Sequence, residues 1–157
     1  MKKLLFIISI FTIYATQAQC LSGDCNTGFG IKKYEDGTIY IGEWWNTSPS
    51  GDGTVIWPDG TIYVGHFIKG LYQGNGTLFS SEVLYIGEFY EDIPNGKGAM
   101  FMNNGDMFIG LFEEGLMDGN GVYKYNNGLI EEGLWEQGKE MGEILLKREN
   151  YILRGLK

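Results

Sequence analysis

The sequence has few of the residues on which enzymatic and metal-binding sites depend. Its 157 residues include one histidine, two cysteines and three prolines. It contains no Gly-x-Ser-x-Gly nucleophile motif, no Gly-rich phosphate-binding loop and no His-Glu-x-x-His zinc motif. We therefore expect that the protein is not an enzyme, and that it has no catalytic residue, no cofactor and no metal site.

Basic residues are also scarce, and this limits the partners that the chain can have. There are 12 lysines and arginines against 20 aspartates and glutamates, and the formal net charge is −8. An acidic protein is repelled by nucleic acids and by anionic membranes. We expect no nucleic-acid partner and no direct binding of anionic lipids, and membrane association is not favoured. The expected partner is an unidentified protein.

Only one long apolar run occurs, and it lies at the N-terminus. Lys2 and Lys3 precede an apolar stretch over residues 4–13, and Ala18 ends a small-residue cleavage motif. This pattern predicts a secretory signal peptide over residues 1–18. The run is shorter than the roughly 20 apolar residues that a transmembrane helix needs. We therefore predict an exported protein, periplasmic or extracellular.

The two cysteines, Cys20 and Cys25, follow the predicted cleavage site. An even number of cysteines in an exported chain suggests a disulfide, which here would close a small ring in an N-terminal cap over residues 19–27. Free thiols, or a metal or redox pair, are the alternatives. Anchoring as a lipoprotein through Cys20 is disfavoured, because Gln19 and Gln17 stand where a lipobox has a small and an aliphatic residue.

Glycine and aromatic residues are abundant. The chain contains 25 glycines, and 15% of its residues are aromatic. A Gly-x-Gly motif recurs at intervals of 23, 23, 22 and 23 residues, and its first glycine recurs after a further 23. Such a fixed period is typical of repeat architectures. The repeats start at Gly28, Gly51, Gly74, Gly96 and Gly119, and the repeat domain covers residues 28–142.

Each repeat has the pattern of a β-hairpin. In the second repeat, Pro58-Asp59-Gly60 separates two β-rich runs. Proline holds φ near −65°, which favours a type I turn with Gly60 in the left-handed region, closed by a G1 bulge. The third repeat is one residue shorter and has Ser80-Ser81-Glu82-Val83 at this place, so we expect a different tight turn there.

The second strand of each hairpin carries an aromatic-x-Gly-x-aromatic pattern. Because strand side chains alternate between faces, the glycine and both aromatics share one face. The glycine leaves a socket, and we expect a ring from an adjacent strand, such as Tyr34 or Trp57, to fill it. The sets are Tyr40, Gly42 and Trp44; Tyr63, Gly65 and Phe67; Tyr85, Gly87 and Phe89; and Phe108, Gly110 and Phe112.

The fifth repeat departs from this pattern, because Glu131 replaces the first aromatic while Gly133 and Trp135 remain. A solvated end of the repeat array and a binding carboxylate are both compatible with this change. In the fourth repeat, Asp106 directly follows the turn. We expect it to be an exposed position at which serine costs little stability.

These motifs resemble the MORN repeat. The resemblance is carried by residues 34–44, by residues 57–67 and by the Gly-x-Gly pair before each segment, and it extends over residues 28–142. It implies an all-β fold, an elongated single-layer antiparallel meander of five consecutive MORN-type β-hairpins. The family is associated with membrane or lipid attachment and with protein–protein scaffolding, and it brings no shared catalytic residues. The short closing segment, residues 143–157, is expected to form strands or a short helix that covers the last sheet edge.

A second apolar stripe lies on the strand face opposite the aromatic residues. A single-layer sheet would expose part of this stripe, and exposed apolar patches often mark partner sites. Coverage by sheet twist and neighbouring side chains is the alternative. The predicted interaction surface consists of Ile39, Ile41, Ile62, Val64, Met107, Ile109, Leu111, Ile130 and Leu134.

The combined prediction is a non-enzymatic, exported repeat protein of bacterial type that acts as a structural or protein-interaction scaffold. The alternative is a lipid- or glycan-binding module that uses aromatic side chains of the repeat sheet.

Overall fold

The computed structural model describes residues 18–148, with side chains described as far as Met141. Apart from Ala18, the predicted signal peptide lies outside the described residues, as do residues 149–157 of the closing segment. The described chain consists of strands and turns. The strands are β1 (Gln19–Gly23), β2 (Gly28–Lys33), β3 (Ile39–Trp45), β4 (Ser48–Ile56), β5 (Ile62–Ile68), β6 (Leu71–Phe79), β7 (Val83–Tyr90), β8 (Ile93–Met102), β9 (Met107–Glu113), β10 (Leu116–Lys124), β11 (Leu129–Glu136) and β12 (Lys139–Arg148).

Every strand pairs antiparallel with its neighbours in sequence, so the strands form one sheet in the order β1 to β12. The predicted all-β meander of consecutive hairpins is confirmed. The five repeat hairpins are β2–β3, β4–β5, β6–β7, β8–β9 and β10–β11. Strand β1 precedes them, and β12 follows them, so the closing segment is a strand as far as Arg148.

The turns within the repeats all lie at the same end of the strands. In the second repeat, the N–H of Gly60 donates to the carbonyl of Trp57 at 3.0 Å, and Gly60 has φ of +88°. The predicted type I turn with a left-handed glycine is confirmed. In the third repeat, the Ser80 hydroxyl instead accepts hydrogen bonds from the N–H groups of Glu82 and Val83. This is the different tight turn that the shorter repeat predicts.

The turns between repeats lie at the opposite end of the strands and have two residues each. Both residues have positive φ, as at Lys69 (+53°) and Gly70 (+87°), which is the type I′ geometry that matches strand twist. The second turn residue also bonds to the chain about one repeat earlier. The N–H of Gly70 donates to the carbonyl of Pro49 at 2.8 Å, and Gly115 donates in the same way to Pro94 at 2.9 Å. A ladder of backbone bonds therefore joins successive turns.

The sheet bends along a line of β-bulges. In the first pair, Gly42 lies opposite Gly53, but Trp44 lies opposite Pro49, so β4 has extra residues there. A bulge bends its strand and increases the local twist. The first glycine of the Gly-x-Gly motif lies in this bulge, and Gly51 has φ of +83°. Rings can be fully buried in a one-layer sheet only where the sheet folds over them, and the bulges provide that bend.

The second glycine of the motif has a different function. The strand register places one glycine of every strand from β2 to β11 directly opposite its neighbour, so that a row of glycines crosses the sheet. The row consists of Gly30, Gly42, Gly53, Gly65, Gly76, Gly87, Gly98, Gly110, Gly121 and Gly133.

One ring covers each successive pair of these glycines. A Cβ atom on Gly42 would lie 2.6 Å from the Tyr40 hydroxyl and 2.6 Å from the Cα atom of Gly53. Tyr63, Tyr85 and Phe108 cover the next pairs in the same way. The expectation that Tyr34 or Trp57 fills the sockets is wrong. The covering ring belongs to the residue two positions earlier in the same strand. In Tyr40 the hydroxyl of this ring also donates to the carbonyl of Glu43 at 2.9 Å.

The aromatic residues form an unbroken chain of edge-to-face contacts along the array. Each first aromatic contacts the second aromatic of its own repeat and that of the next repeat, with ring centroids 4.9 to 5.3 Å apart. Such pairs contribute about 0.5–1.5 kcal/mol each beyond the area that they bury. The chain of rings runs Trp44, Tyr40, Phe67, Tyr63, Phe89, Tyr85, Phe112, Phe108, Trp135, and all are buried.

The fourth covering ring lacks the hydrogen bond that the first three make. The hydroxyl of Tyr85 donates to the carbonyl of Glu88 at 3.0 Å, whereas Phe108 has no hydroxyl. We expect Tyr85→Phe to lower the free energy of unfolding by about 1 kcal/mol and Phe108→Tyr to raise it by a similar amount. Urea denaturation of both variants beside the wild type measures this. Changes of the same sign in the two variants would contradict the assignment.

A disulfide between Cys20 and Cys25 covers the first glycine of the row. The Cα atoms of the two cysteines are 5.9 Å apart. A Cβ atom on Gly30 would lie 2.9 Å from the sulfur of Cys25, so this sulfur stands where a ring stands over the later glycines. The predicted disulfide therefore caps the open end of the socket row.

Reduction of this disulfide is expected to cost little stability. The ring is short, and chain-entropy estimates give about 3 kcal/mol for a 15-residue loop and less for a shorter one. Intact mass after alkylation without reduction should show no added label, and two added labels would contradict the bond. With reductant present, the denaturation midpoint should fall by an amount that corresponds to about 2 kcal/mol or less.

Candidate interaction surfaces

The sheet face opposite the rings carries two parallel rows of mostly apolar side chains, which we call the apolar face. The strand register defines both rows. The first row, near the turns within repeats, consists of Ile39, Ile56, Ile62, Phe79, Leu84, Phe101 and Met107. The second row consists of Ile31, Ile41, Thr54, Val64, Thr77, Ile86, Ala99, Ile109 and Val122.

The apolar face is open to solvent among the described residues. Val64, Ile86 and Ile109 are each about half exposed, at 50%, 47% and 49%. A depression of about 580 Å³ lies around Ala99, the smallest side chain of the second row, between Ile86 and Ile109. The first row has Lys33 at one end and Lys124 at the other, and its members between them carry no charge.

The structure brings most of the predicted surface together. Ile39, Ile62 and Met107 lie in the first row, and Ile130 extends that row beyond Lys124. The second row contains Ile41, Val64 and Ile109. Leu111 and Leu134 lie beside these rows, opposite Lys97 and Asn120, where polar side chains interrupt the stripe.

Several members of both rows escaped the sequence analysis, because it followed only part of the strands. Ile56, Phe79 and Phe101 lie on the first strands of their hairpins, whereas every predicted residue lies on a second strand. Leu84 and Ile86 belong to the third repeat and flank the buried Tyr85. The same alternation about Tyr85 would have identified both residues.

Exposed apolar side chains also flank the turns between repeats, and we call this group of side chains the turn rim. Trp45 is 62% exposed and Tyr90 is 58% exposed. They pair with Ser48 and Ile93 beside their turns. The rim consists of Trp45, Ile68, Leu71, Tyr90, Ile93 and Leu116, all exposed. Trp and Tyr with aliphatic neighbours are typical of membrane–water interfaces.

On the other face, the bend leaves an aromatic groove of about 540 Å³ over the first two repeats. Its lining includes Tyr34 and Trp57, beside the turns within repeats, together with Pro49 and Gly70, beside the turns between repeats, so both ends of the bent strands contribute to one groove. Tyr72 lies at one end of the groove, where it stacks on Tyr63 with ring centroids 3.6 Å apart. The lining also includes Ala18, Glu35, Asp36, Thr38, Tyr40, Val55 and Phe67.

The groove is open here because two key side chains are small. Pro49 pairs with Trp44, and the equivalent residues of the later repeats are Tyr72, Pro94 and Met117. Val55 pairs with Tyr40, and its later equivalents are Leu78, Met100 and Tyr123, so only here are both positions small. The methionines and Tyr123 pack against the core and so occupy the space that Pro49 and Val55 leave.

Two acidic side chains, Glu35 and Asp36, line the groove. Hydrogen bonds from the backbone and the hydroxyl of Thr38 lower the pKa of the Asp36 carboxyl, so this group is ionised at neutral pH. Burial, together with the nearby Asp36, raises the pKa of Tyr34, which is therefore a neutral phenol. Lys32 lies outside the lining, with its ammonium 5.2 Å from the centroid of the Tyr34 ring.

The last two hairpins are joined by side-chain hydrogen bonds instead of an open groove. Asp106 accepts from the hydroxyl of Tyr123 at 2.9 Å and from the N–H of Asn126 at 2.8 Å. Asp106 is therefore not the isolated exposed position expected from the sequence, because it is partly buried and its carboxylate links two turns. Glu131 accepts from the hydroxyl of Tyr125 at 2.7 Å, and this bond raises the pKa of Tyr125 to about 12. Glu131 thus has an intramolecular partner.

The one histidine, His66, lies 3.0 Å from the carboxylate of Asp52 on the sheet surface. Among the side chains of residues 18–141, no group of three or more His, Cys, Asp or Glu is arranged to hold a metal ion. The described chain also contains no helix that is long and apolar enough to cross a membrane.

Repeated hairpins, a row of paired glycines and stacked covering rings define the molecule as a single-layer β-repeat protein. The MORN repeat family model matches residues 40–62, 63–81, 85–107 and 108–130, together more than half of the chain. The chain belongs to the MORN-repeat family. No curated protein matches it significantly. MORN repeats generally mediate interactions with proteins or with membranes.

Proposed function

We propose that this protein is a non-enzymatic scaffold, exported to the periplasm or the extracellular space, whose apolar face binds a partner protein. The observation that carries the proposal is the exposure of the second row, at Val64, Ile86 and Ile109. Exposed contiguous apolar surface is costly in water and often marks interaction sites. The Cys20–Cys25 disulfide supports export, because disulfides persist in oxidising compartments.

The experiment places a photo-crosslinking amino acid on the apolar face. p-Benzoylphenylalanine replaces Ile86 or Ile109 in the protein expressed in its source cells, and irradiation precedes purification. We expect a covalent adduct with one protein from both positions. The matched control is the same amino acid at Glu82, an exposed turn residue, which should give no such adduct.

The expected adduct should also depend on the apolar character of the face. Ile109→Glu, combined with the crosslinker at Ile86, should abolish it. Asn75→Glu introduces the same charge opposite Glu88, outside the two rows, and should leave the adduct unchanged. Equal adducts from all positions, or none from the apolar face, would refute the proposal. An adduct of twice the chain's mass would assign the face to self-assembly.

The turn rim favours a second candidate function, binding to a lipid surface. Exposed Trp45 and Tyr90 stand beside aliphatic side chains along one edge, as in interfacial anchors. The negative net charge opposes anionic headgroups, so the matching surface is zwitterionic. Flotation with phosphatidylcholine vesicles tests this. Binding that disappears in the variant Trp45→Ser, Tyr90→Ser supports the candidate, and absence of wild-type flotation rejects it.

A further inference from the structure

The aromatic groove is a separate site, on the sheet face opposite the apolar face. Its lining comes from both ends of the bent strands and includes Tyr34, Trp57 and Pro49. Both aromatic rings are only partly buried, so the groove presents aromatic surface that the core does not use. Nothing in the proposed function of the apolar face requires this groove.

The charge of the groove restricts what can occupy it. Glu35 and Asp36 are the charged side chains that line it, and no lysine or arginine does so. Because the Asp36 carboxylate is held ionised by Thr38, the lining carries negative charge at neutral pH. Phosphates, nucleotides and acidic peptides are therefore repelled, and a cationic group is attracted.

Aromatic rings beside carboxylates suit one cation in particular. A guanidinium stacks on aromatic faces and forms forked hydrogen bonds with carboxylates, whereas an ammonium is a compact and strongly hydrated charge. The protein already shows cation–ring packing at this end of the sheet, where the Lys32 ammonium lies 5.2 Å from the Tyr34 ring centroid and 5.3 Å from that of Trp44.

We propose that the aromatic groove binds an arginine-containing segment of a partner protein, with the guanidinium packed against Tyr34 and Trp57 and paired with Glu35 and Asp36. The groove volume of about 540 Å³ accommodates a side chain of this size together with neighbouring residues. The first two repeats form the site because Pro49 and Val55 leave it open.

The test uses the exported protein, with its N-terminus established by intact mass. The probe is an acetylated and amidated tripeptide with arginine between two leucines. Its matched control replaces arginine with citrulline, which has nearly the same shape but no charge. Isothermal titration calorimetry should show saturable binding of the arginine peptide and binding at least about tenfold weaker for the citrulline peptide.

Variants connect the binding to the groove. Pro49→Tyr introduces the residue that stands at the equivalent position one repeat later, Tyr72. The new ring should stack on Tyr40 and fill the groove, so that binding is lost while the fold is retained. Glu35→Gln should weaken binding about threefold. The control Glu82→Gln, in the third repeat, should not change it. Ile109→Glu on the apolar face should also leave it unchanged, which separates this proposal from the previous one.

Several outcomes would overturn the proposal. These are equal binding of the arginine and citrulline peptides, unchanged binding by a folded Pro49→Tyr variant, or no peptide binding at all. If Pro49→Tyr fails to fold, the comparison of the arginine and citrulline peptides and the effect of Glu35→Gln still test whether the groove binds arginine. Binding of chitotriose that Glu35→Gln leaves intact, without binding of the arginine peptide, would identify the groove as a glycan site instead.

Discussion

Gly110→Val is expected to destabilise the protein by about 3 kcal/mol, at the upper end of the usual cost of overpacking a core. A Cβ atom on Gly110 would lie 2.6 Å from the Cζ atom of Phe108, 2.7 Å from the Cα atom of Gly121 and 2.8 Å from the carbonyl oxygen of Asn120. Two of these neighbours are backbone atoms, so relaxation requires the paired strands to separate. Chemical denaturation by urea measures the loss.

Gly133→Val is the matched control for this prediction. Gly133 lies in the same glycine row, but none of the residues with described side chains approaches within 4 Å of the place of its Cβ atom. Glu131 stands where other repeats have the covering ring, so this socket is empty. Valine is the better strand former by up to about 1 kcal/mol, and we expect Gly133→Val to be neutral or stabilising. Similar stability changes in both variants would show that the covering ring does not determine the need for glycine.

The protein is expected to unfold in alkali as its buried tyrosines ionise. Burial raises the pKa of Tyr63 to about 12, with a smaller contribution from Asp92. Burial likewise raises the pKa of Tyr85 to about 12, with a contribution from Glu88, and it raises the pKa of Tyr40 further. These values compare with 10.0 for an unperturbed phenol.

The sign of the effect follows from these raised pKa values. The folded protein holds the phenolic protons more tightly than the unfolded chain does, so their contribution to stability is complete below pH 10. Stability then falls as the pH rises from about 10 through 12, because the unfolded chain releases its protons first. With several tyrosines involved, we expect cooperative unfolding in this window. Circular dichroism and phenolate absorbance, followed together against pH, should change in the same transition.

A single variant provides the control for the alkaline transition. Tyr63→Phe removes one of the titrating groups, and the hydrogen bond that it loses, to the carbonyl of His66, is long at 3.4 Å. The transition should move to higher pH, while stability at neutral pH changes little. If phenolate forms at Tyr63 and Tyr85 with the sheet signal intact, then solvent reaches these rings without unfolding, and the prediction is wrong.

The sequence alone determined the architecture, because the information for it is local. The period of Gly-x-Gly defines the repeats, Pro58-Asp59-Gly60 specifies its turn through the φ of proline, and alternation assigns the aromatics to one face. The spacing of Cys20 and Cys25 in the predicted exported chain led to the disulfide that the structure contains. The stripe from Ile39 to Leu134 was likewise identified from alternation within single strands.

Only the tertiary structure decided how these features meet. Strand register brings Gly42 opposite Gly53 and shifts at the bulge beyond them, and that pairing bends the sheet over its rings. The same register brings Gly53 of the next strand under the ring of Tyr40 and places Asp106 between two turns. The groove exists because Pro49 and Val55 are both small, whereas each later pair of equivalent positions includes a longer side chain. These relations join residues on different strands, so periodicity within one strand carries no record of them.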